Sequence, residues 1–300
     1  MRNFYVNPDP HYTPKISIGP FSLKNVKSAQ TKADYQILSY LGANLLFTNS
    51  GKDAIRRALE FLKAEKHHTV GIVTTSGNTY VSKCVTETIS EYCKWEMYDN
   101  SKDLNFLFVV HEFGSIKSEE SMKELRILGI PIINDFAYSF LSLYMNKRKD
   151  FAGEINLTSF PKSFNINFGG AIHLPNQIIG NSHLNIQASI LEKLGTDLNI
   201  EAVEENIRIR KENREYYKSK LLMHGYKVVW DMEEICPGVC MISPLKPINL
   251  QDLKTFLQRN GIESSVFYGK EILFVPVHNF MSPHELDYVC YMMGAFGNEN

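Results

Sequence analysis

Short apolar runs alternate with amphipathic helical patterns along residues 40–175, and this alternation restricts the fold of the chain more than any other feature. Each run ends in a polar or glycine-containing turn, as parallel strands do when helices cover their sheet. The pattern predicts an α/β domain with a mainly parallel sheet. The predicted strands are residues 44–48, 69–75, 105–111 and 130–135, and the predicted helices are residues 52–64, 81–93 and 119–128.

A long polar helix, predicted over residues 201–223, precedes a different pattern. There we predict strand, strand, helix, strand, strand, helix at residues 227–230, 239–243, 250–260, 263–267, 272–275 and 283–294. This order is typical of a small α+β domain. We therefore predict a large domain over residues 1–200, in which residues 1–37 form an N-terminal arm, and a linking helix with a small domain over residues 201–300.

The composition excludes several classes of protein. With 32 basic and 33 acidic side chains, no net charge attracts nucleic acid or an anionic membrane. The N-terminus lacks the apolar core of a signal peptide, and no stretch approaches the roughly 20 apolar residues of a membrane span, so we expect a cytoplasmic protein. Five scattered cysteines argue against a disulfide framework. Cys236 and Cys240 flank a Pro-Gly turn without a second Cys or His pair, so we predict no zinc site.

Two loops at predicted strand ends carry residues suited to a cofactor, because ligands of open α/β sheets gather at the carboxyl ends of strands. Ser50, Gly51 and Lys52 stand between the first strand and its helix, where backbone N–H groups and a hydroxyl can bind phosphate. The same residues also fit an ordinary helix cap. Tyr80 follows the second strand at the start of the predicted helix, and its ring can stack on a flat cofactor or pack in the protein.

An acid and a lysine further along the chain complete the pattern. Asp135 ends an isoleucine-rich strand, where burial is costly unless a cation or a donor meets the carboxylate; the alternative is a cap for the next helix. Six residues separate Lys162 from Gly169-Gly170, and a lone lysine there is usually a surface residue. A lysine can form a Schiff base with pyridoxal phosphate (PLP), however, while a carboxylate keeps the pyridine nitrogen protonated. The order of these features therefore predicts a PLP site.

In this order the chain resembles the DegT/DnrJ/StrS-type aminotransferases, PLP-dependent enzymes that act mostly on nucleotide-linked keto sugars. The similarity runs over residues 38–175 and continues more weakly beyond. Ser50-Gly51-Lys52-Asp53-Ala54-Ile55 is similar to the family's Ser-Gly-Thr-x-Ala-Leu turn, Thr79-Tyr80 to its Thr-aromatic pair, and Asn134-Asp135-Phe136-Ala137-Tyr138-Ser139 to its Glu-Asp-x-Ala-His-Ser. Ser159 and Lys162 match a Ser-Phe-Arg-Lys segment that six residues separate from Gly-Gly.

The resemblance implies a fold-type I PLP-transferase fold and a role for each matching residue. Lys162 would bond to PLP and act as general base and acid, and Asp135 would partner the pyridine nitrogen. Tyr80 would stack on the ring, and Tyr138 would take the place of the usual His or Gln. The phosphate would be bound by Ser50, Gly51, Lys52 and Ser159. The resemblance also implies a homodimer that transfers an amino group from glutamate to a nucleotide-linked keto sugar, in polysaccharide or glycosylated-metabolite biosynthesis.

The chain departs from the family pattern in three respects. Lys52 replaces Thr or Ser, Tyr138 replaces His, and the chain is short, without the Asn-Tyr-Arg stretch that usually helps to build the neighbouring subunit's site. The alternative is therefore an inactive homologue that binds PLP or a sugar as a partner or regulatory subunit, although retention of Lys162 and Asp135 counts against it. A nucleotide-binding α/β enzyme without PLP is disfavoured, because no Gly-x-Gly-x-x-Gly follows the first strand.

Overall fold

The computed structural model describes residues 16–20, 37–100, 103–175 and 197–299, so most of the predicted N-terminal arm lies outside the described residues. The first part of the chain forms strands β1 (Leu45–Thr48), β2 (Thr69–Thr74), β3 (Lys94–Met97), β4 (Phe106–Val110), β5 (Ile132–Asp135), β6 (Ile155–Ser159) and β7 (Gly170–His173). Its helices are α1 (Gly51–Phe61), α2 (Lys83–Ser90), α3 (Glu119–Arg126) and α4 (Phe140–Met145).

These strands form one seven-stranded sheet in the order β1-β7-β6-β5-β4-β2-β3. β7 runs antiparallel to its neighbours β1 and β6, and the other neighbouring pairs are parallel. Val110 at the end of β4 pairs with Asp135, which in turn pairs with Leu157 of β6. The strand ends are therefore adjacent at one edge of the sheet, and the predicted α/β class with a mainly parallel sheet is confirmed.

The sheet has an apolar core on each face because successive side chains of a strand point in opposite directions. In β4, Leu107 and Val109 join one cluster, whereas Phe106 and Phe108 join the other. Burial on both faces accounts for strands that read as continuous apolar runs.

The remaining chain forms the linking helix α5 (Ile200–Leu221), strands β8 (Tyr226–Val229), β9 (Cys240–Pro244), β10 (Ser265–Phe267) and β11 (Ile272–Val275), and helices α6 (Leu250–Arg259) and α7 (Pro283–Glu299). The strands make an antiparallel sheet in the order β10-β11-β9-β8, which confirms the predicted α+β layer. Helix α5 binds both parts: Asn206 donates to the Ser163 carbonyl at 2.8 Å and Asn213 to the His278 carbonyl at 3.0 Å. The domain boundary near residue 200 stays a prediction.

Among the strands and α-helices of the described residues, β3, β6, β7 and α4 were not predicted. In β6 the reason is that Asn156 and Thr158 are polar but fully buried; the Asn156 amide donates to the carbonyls of Leu41 and Phe151 at 2.6 and 2.8 Å. The predicted helix over residues 81–93 starts later, at Lys83, so Tyr80 lies in a loop rather than at the helix start.

Among the described residues, no helix is long and apolar enough to cross a membrane. Nor do these residues contain a group of three or more His, Cys, Asp or Glu that could hold a metal ion. Cys236 and Cys240 are free and buried, and burial raises the pKa of both thiols, that of Cys236 to about 11.

Candidate active site

A cavity of about 450 Å³ opens where the carboxyl ends of the large sheet face β10 and β11. Its volume falls in the range of small-molecule sites, roughly 300–1,000 Å³. All the residues predicted for the cofactor site line this one cavity: Ser50, Gly51, Lys52, Tyr80, Asp135, Tyr138, Ser159 and Lys162.

The N-terminus of α1 faces this cavity. Ser50 caps the helix, since its Oγ accepts from the Asp53 N–H at 3.2 Å and its carbonyl accepts the first helical bond, from Ala54, at 3.0 Å. The N–H groups of Gly51 and Lys52 precede that bond and so have no partner within the helix. The turn is therefore a helix cap, and phosphate binding by its free N–H groups stays a prediction.

Gly51 lets Ser159 approach this helix end. A Cβ at position 51 would lie 2.9 Å from the Cβ and 3.2 Å from the Oγ of Ser159. Glycine is required at position 170, the second of the predicted pair, for a similar reason: a Cβ there would lie 2.6 Å from the Thr158 carbonyl oxygen. Gly169 has a φ of +94°, which favours glycine. The glycines therefore bring β7, Ser159 and α1 together at the cavity.

Asp135 is buried at the end of β5 with little to compensate its charge. Its Oδ1 accepts from the Ala137 N–H at 2.8 Å, and Ser139 rather than Asp135 is the N-cap of α4, so the capping alternative is wrong. Burial raises the pKa of Asp135 to about 6, although the Ala137 N–H and the charge of Lys162 lower it. A cation in the cavity would offset this cost of burial.

Lys162 ends the short 3-10 turn Phe160–Lys162, which follows β6. Its Nζ lies 4.9 Å from the centroid of the Tyr138 ring. The interaction with Tyr138 is the largest cause that raises the pKa of Lys162, and burial lowers this pKa. The amine and the carboxylate of Asp135 thus face one cavity from neighbouring strands.

Tyr80 lies at the rim, with 43% of its surface exposed. Its ring centroid is 4.9 Å from that of Tyr268, at an interplanar angle of 54°. Nearby, the Asn78 amide donates to the Tyr268 carbonyl at 2.6 Å. The loop of Tyr80 is therefore held against the turn between β10 and β11.

No protein-family model and no curated protein matches this chain. Solved structures do. A DegT/DnrJ/EryC1/StrS aminotransferase from Brucella abortus matches with 16% identity and a TM-score of 0.62, over 89% of this chain and 92% of its own. The aminotransferase TlmJ from Streptoalloteichus hindustanus matches with 12% identity and a TM-score of 0.67, over 95% and 99%. A Streptococcus pneumoniae protein described as a sugar aminotransferase, in its PLP form, matches with 14% identity and a TM-score of 0.65, over 97% and 99%.

The chain has the fold of the DegT/DnrJ/EryC1/StrS aminotransferases. At these identities the similarity establishes the fold, and the roles of individual residues are proposals.

In this aminotransferase fold the cavity also contains residues that the sequence interpretation missed, directly after β4. His111 stacks on Phe136, with ring centroids 4.2 Å apart and 8° between the planes. Its Nδ1 accepts from the Lys117 N–H at 3.2 Å, so Nε2 carries the proton that is donated to Asn134 at 3.1 Å. Burial lowers the pKa of His111 to about 3, and the ring is neutral at physiological pH.

Glu112 and Phe113 complete this edge. The Glu112 carboxylate accepts from the Ser76 N–H at 2.7 Å and the Thr75 hydroxyl at 3.1 Å, and burial raises its pKa. Phe113, with a φ of +48°, places its ring 5.2 Å from that of Tyr138 and 4.9 Å from that of Phe274. The sequence did contain a signal for these two residues: they follow a predicted strand, and ligands gather at strand ends.

Proposed function

We propose that this chain is a PLP-dependent aminotransferase whose cofactor binds in the cavity at the strand ends. The observation that carries the proposal is that the Lys162 amine and the buried Asp135 carboxylate face the same cavity, beside the N-terminus of α1. The PLP form among the solved structures with this fold supports the cofactor.

The residues present fit PLP at each of its reactive or charged groups. The phosphate would bind Ser50, Gly51, Lys52 and Ser159 at the positive end of α1. The protonated pyridine nitrogen is a cation of the kind that the buried Asp135 lacks. The Lys162 amine fits the aldehyde, and the Tyr80 ring fits the face or edge of the pyridine ring.

When bound, PLP supplies an aldehyde that condenses with a primary amine, with loss of water, and a ring that withdraws electrons from that amine's α-carbon. Lys162 would supply the amine that bonds to the aldehyde and, as general base, would accept the proton that leaves the α-carbon of an amino donor. The Tyr138 ring lies against the Lys162 amine, with Nζ 4.9 Å from the ring centroid. Asp135 keeps the ring nitrogen protonated, which is what makes the ring an electron acceptor.

For the substrates we propose glutamate as amino donor and a nucleotide-linked keto sugar as acceptor, in polysaccharide or glycosylated-metabolite biosynthesis. The support is the sequence resemblance together with the fold shared with a protein described as a sugar aminotransferase. We also propose a cytoplasmic homodimer that binds neither nucleic acid nor a membrane. Light scattering of the purified chain tests the dimer directly.

The first experiment is a visible absorbance spectrum of the purified chain with PLP, before and after glutamate, on wild type and Lys162→Ala. The matched control is Lys117→Ala, because Lys117 is half-buried and burial lowers its pKa, which favours reaction of its amine. We expect a visible band that requires Lys162 but not Lys117, and that glutamate shifts to the absorbance of the aminated cofactor.

The outcomes separate the candidate functions. A Lys162-dependent band that glutamate and other amino acids leave unchanged indicates the inactive PLP-binding homologue. A band of equal size in Lys162→Ala removes Lys162 from the mechanism and contradicts the aminotransferase. If glutamate does shift the band, mass spectrometry of nucleotide-linked keto sugars incubated with the enzyme identifies the acceptor.

A further inference from the structure

Arg210 of α5 is a fully buried cation without an acidic partner. None of its side chain is exposed, and among the described residues no carboxylate pairs with it. A buried charge normally requires a partner of opposite charge or a complete set of hydrogen bonds. The burial of Arg210 therefore calls for an explanation in terms of the groups that its N–H donors reach.

Those groups are oxygen atoms from three separate segments. Nε donates to the Asn206 side-chain oxygen at 2.8 Å, Nη1 to the Pro237 carbonyl at 3.1 Å, and Nη2 to the Lys162 carbonyl at 3.1 Å. A planar guanidinium with five N–H donors can reach acceptors on several sides at once, which an ammonium cannot do. Asn206, one helical turn away, donates to the Ser163 carbonyl at 2.8 Å, so α5 binds the lysine turn twice.

The loop at Pro237 leads to the other side of the Lys162 site. A Cβ on Gly238 would lie 2.9 Å from the Cδ1 atom and from the carbonyl oxygen of Tyr138, so this loop packs directly behind Tyr138. The Tyr138 ring in turn lies 4.9 Å from the Lys162 Nζ. Arg210 thus connects the backbone of Lys162 with the loop that supports the ring facing its amine.

We propose that Arg210 is a positioning residue, which fixes the Lys162 backbone relative to Tyr138 so that the amine faces the cofactor aldehyde. This inference rests on the proposed function, because it assigns Arg210 a role at the same lysine. It predicts that loss of the guanidinium reduces the attachment of bound PLP to Lys162 more than it reduces the binding of PLP itself.

The chain offers a matched control one turn further along α5. Arg214 is 5% exposed and donates to the Met232 and Ile235 carbonyls at 3.3 and 3.5 Å, in the same loop region, but no hydrogen bond links it to Lys162. It also pairs with Asp231, which keeps Lys218 as a second partner when Arg214 is replaced. Arg214→Met therefore removes a buried arginine and its loop contacts while leaving the lysine turn intact.

The experiment compares wild type, Arg210→Lys, Arg210→Met and Arg214→Met, each saturated with PLP. Total bound PLP is measured after denaturation, and the share attached to Lys162 is measured by borohydride reduction and peptide mass spectrometry. We expect Arg210→Met to shift the equilibrium between attached and unattached PLP by about tenfold, because hydrogen bonds from a charged donor are worth roughly that factor. Arg210→Lys retains the charge with fewer contacts and should be intermediate, whereas Arg214→Met should equal wild type.

Each outcome bears on one proposal. The inference is overturned if both Arg210 variants attach the same share of PLP to Lys162 as wild type does, while their melting temperatures fall as that of Arg214→Met does. Arg210 would then be only structural. If Arg210→Met does not fold, wild-type attachment in Arg210→Lys overturns it in the same way. Bound PLP that is not attached to Lys162 in wild type overturns the proposed function instead.

Discussion

The amine of Lys162 lies against the Tyr138 ring, with Nζ 4.9 Å from the ring centroid. Interaction with Tyr138 is the largest cause of the raised pKa of Lys162, and it exceeds the opposing effect of burial. The side chain at position 138 therefore favours the protonated amine, whereas only the neutral amine is a nucleophile.

Tyr138→Phe should speed the attachment of PLP at neutral pH. The substitution removes the phenol hydroxyl, whose interaction raises the pKa of Lys162, so this pKa should fall and more of the amine should be neutral. Stopped-flow absorbance after mixing with PLP, over a series of pH values, measures the midpoint of the rate profile. A midpoint that stays at the wild-type pH, or moves upward, would contradict this role of Tyr138.

Asp135→Asn should stabilise the chain without PLP at neutral pH. The folded-state pKa of Asp135, about 6, is raised above the unfolded value near 3.9, so its contribution to stability is complete below about pH 4 and is lost as the pH rises through 6. The shift corresponds to a loss on the order of 3 kcal/mol above pH 6. Asparagine can still accept from the Ala137 N–H but carries no charge.

The measurement is urea unfolding of wild type and Asp135→Asn at several pH values. The free energy of unfolding of the variant should exceed that of wild type by on the order of 1–3 kcal/mol at neutral pH, and the two should converge near pH 4. PLP should then stabilise wild type more than the variant, because the pyridine cation has lost its partner. Parallel pH curves for the two proteins would be inconsistent with the raised pKa.

Gly51→Ala should weaken PLP binding. The added Cβ would lie 2.9 Å from the Ser159 Cβ, so either Ser159 or the start of α1 must move, at a cost of roughly 1–3 kcal/mol for such overpacking. Gly153→Ala is the control, because a Cβ there meets nothing within 4 Å. Fluorescence titration with PLP should give a weaker affinity for Gly51→Ala alone, and an unchanged affinity would separate Ser159 from the phosphate site.

The sequence was most informative where local rules decide the structure. Strand ends in an α/β sheet meet at one edge, so Ser50 and Asp135 could be predicted to lie together before any contact was known. Lys162 was assigned to the same site by the order of the motifs, because β6 was not predicted. The glycines were visible in the sequence but the reason for them was not, because a Cβ at Gly51 would collide with Ser159 and one at Gly170 with the Thr158 carbonyl.

Contacts between distant segments were beyond local patterns. Arg210 reads in the sequence as one more charge on a polar helix, and only the packing of α5 against the Lys162 turn and the Pro237 loop reveals its burial. Strand β6 was missed for the same reason. The amide of Asn156 is polar but can be buried there because it donates to the Leu41 carbonyl, which is far away in the chain. That β10 and β11 line the cavity could not be predicted at all, since this depends on how the two sheets face each other.

The contact between Tyr80 and Tyr268 should couple the small sheet to cofactor affinity. The Tyr80 ring lines the cavity, and Tyr268 holds it from the turn between β10 and β11, with ring centroids 4.9 Å apart. Tyr80→Ala should weaken PLP binding by loss of ring contact, and Tyr268→Ala should do so indirectly, by releasing the Tyr80 ring. In a double-mutant cycle measured by PLP titration, we expect a coupling of about 0.5–1.5 kcal/mol, as for aromatic pairs in general.

Tyr268→Phe is the control: it keeps the ring and loses only the hydrogen bond to Gln251, so its affinity should equal that of wild type. Additive effects of the two alanine substitutions would mean that Tyr80 binds without support from the small sheet.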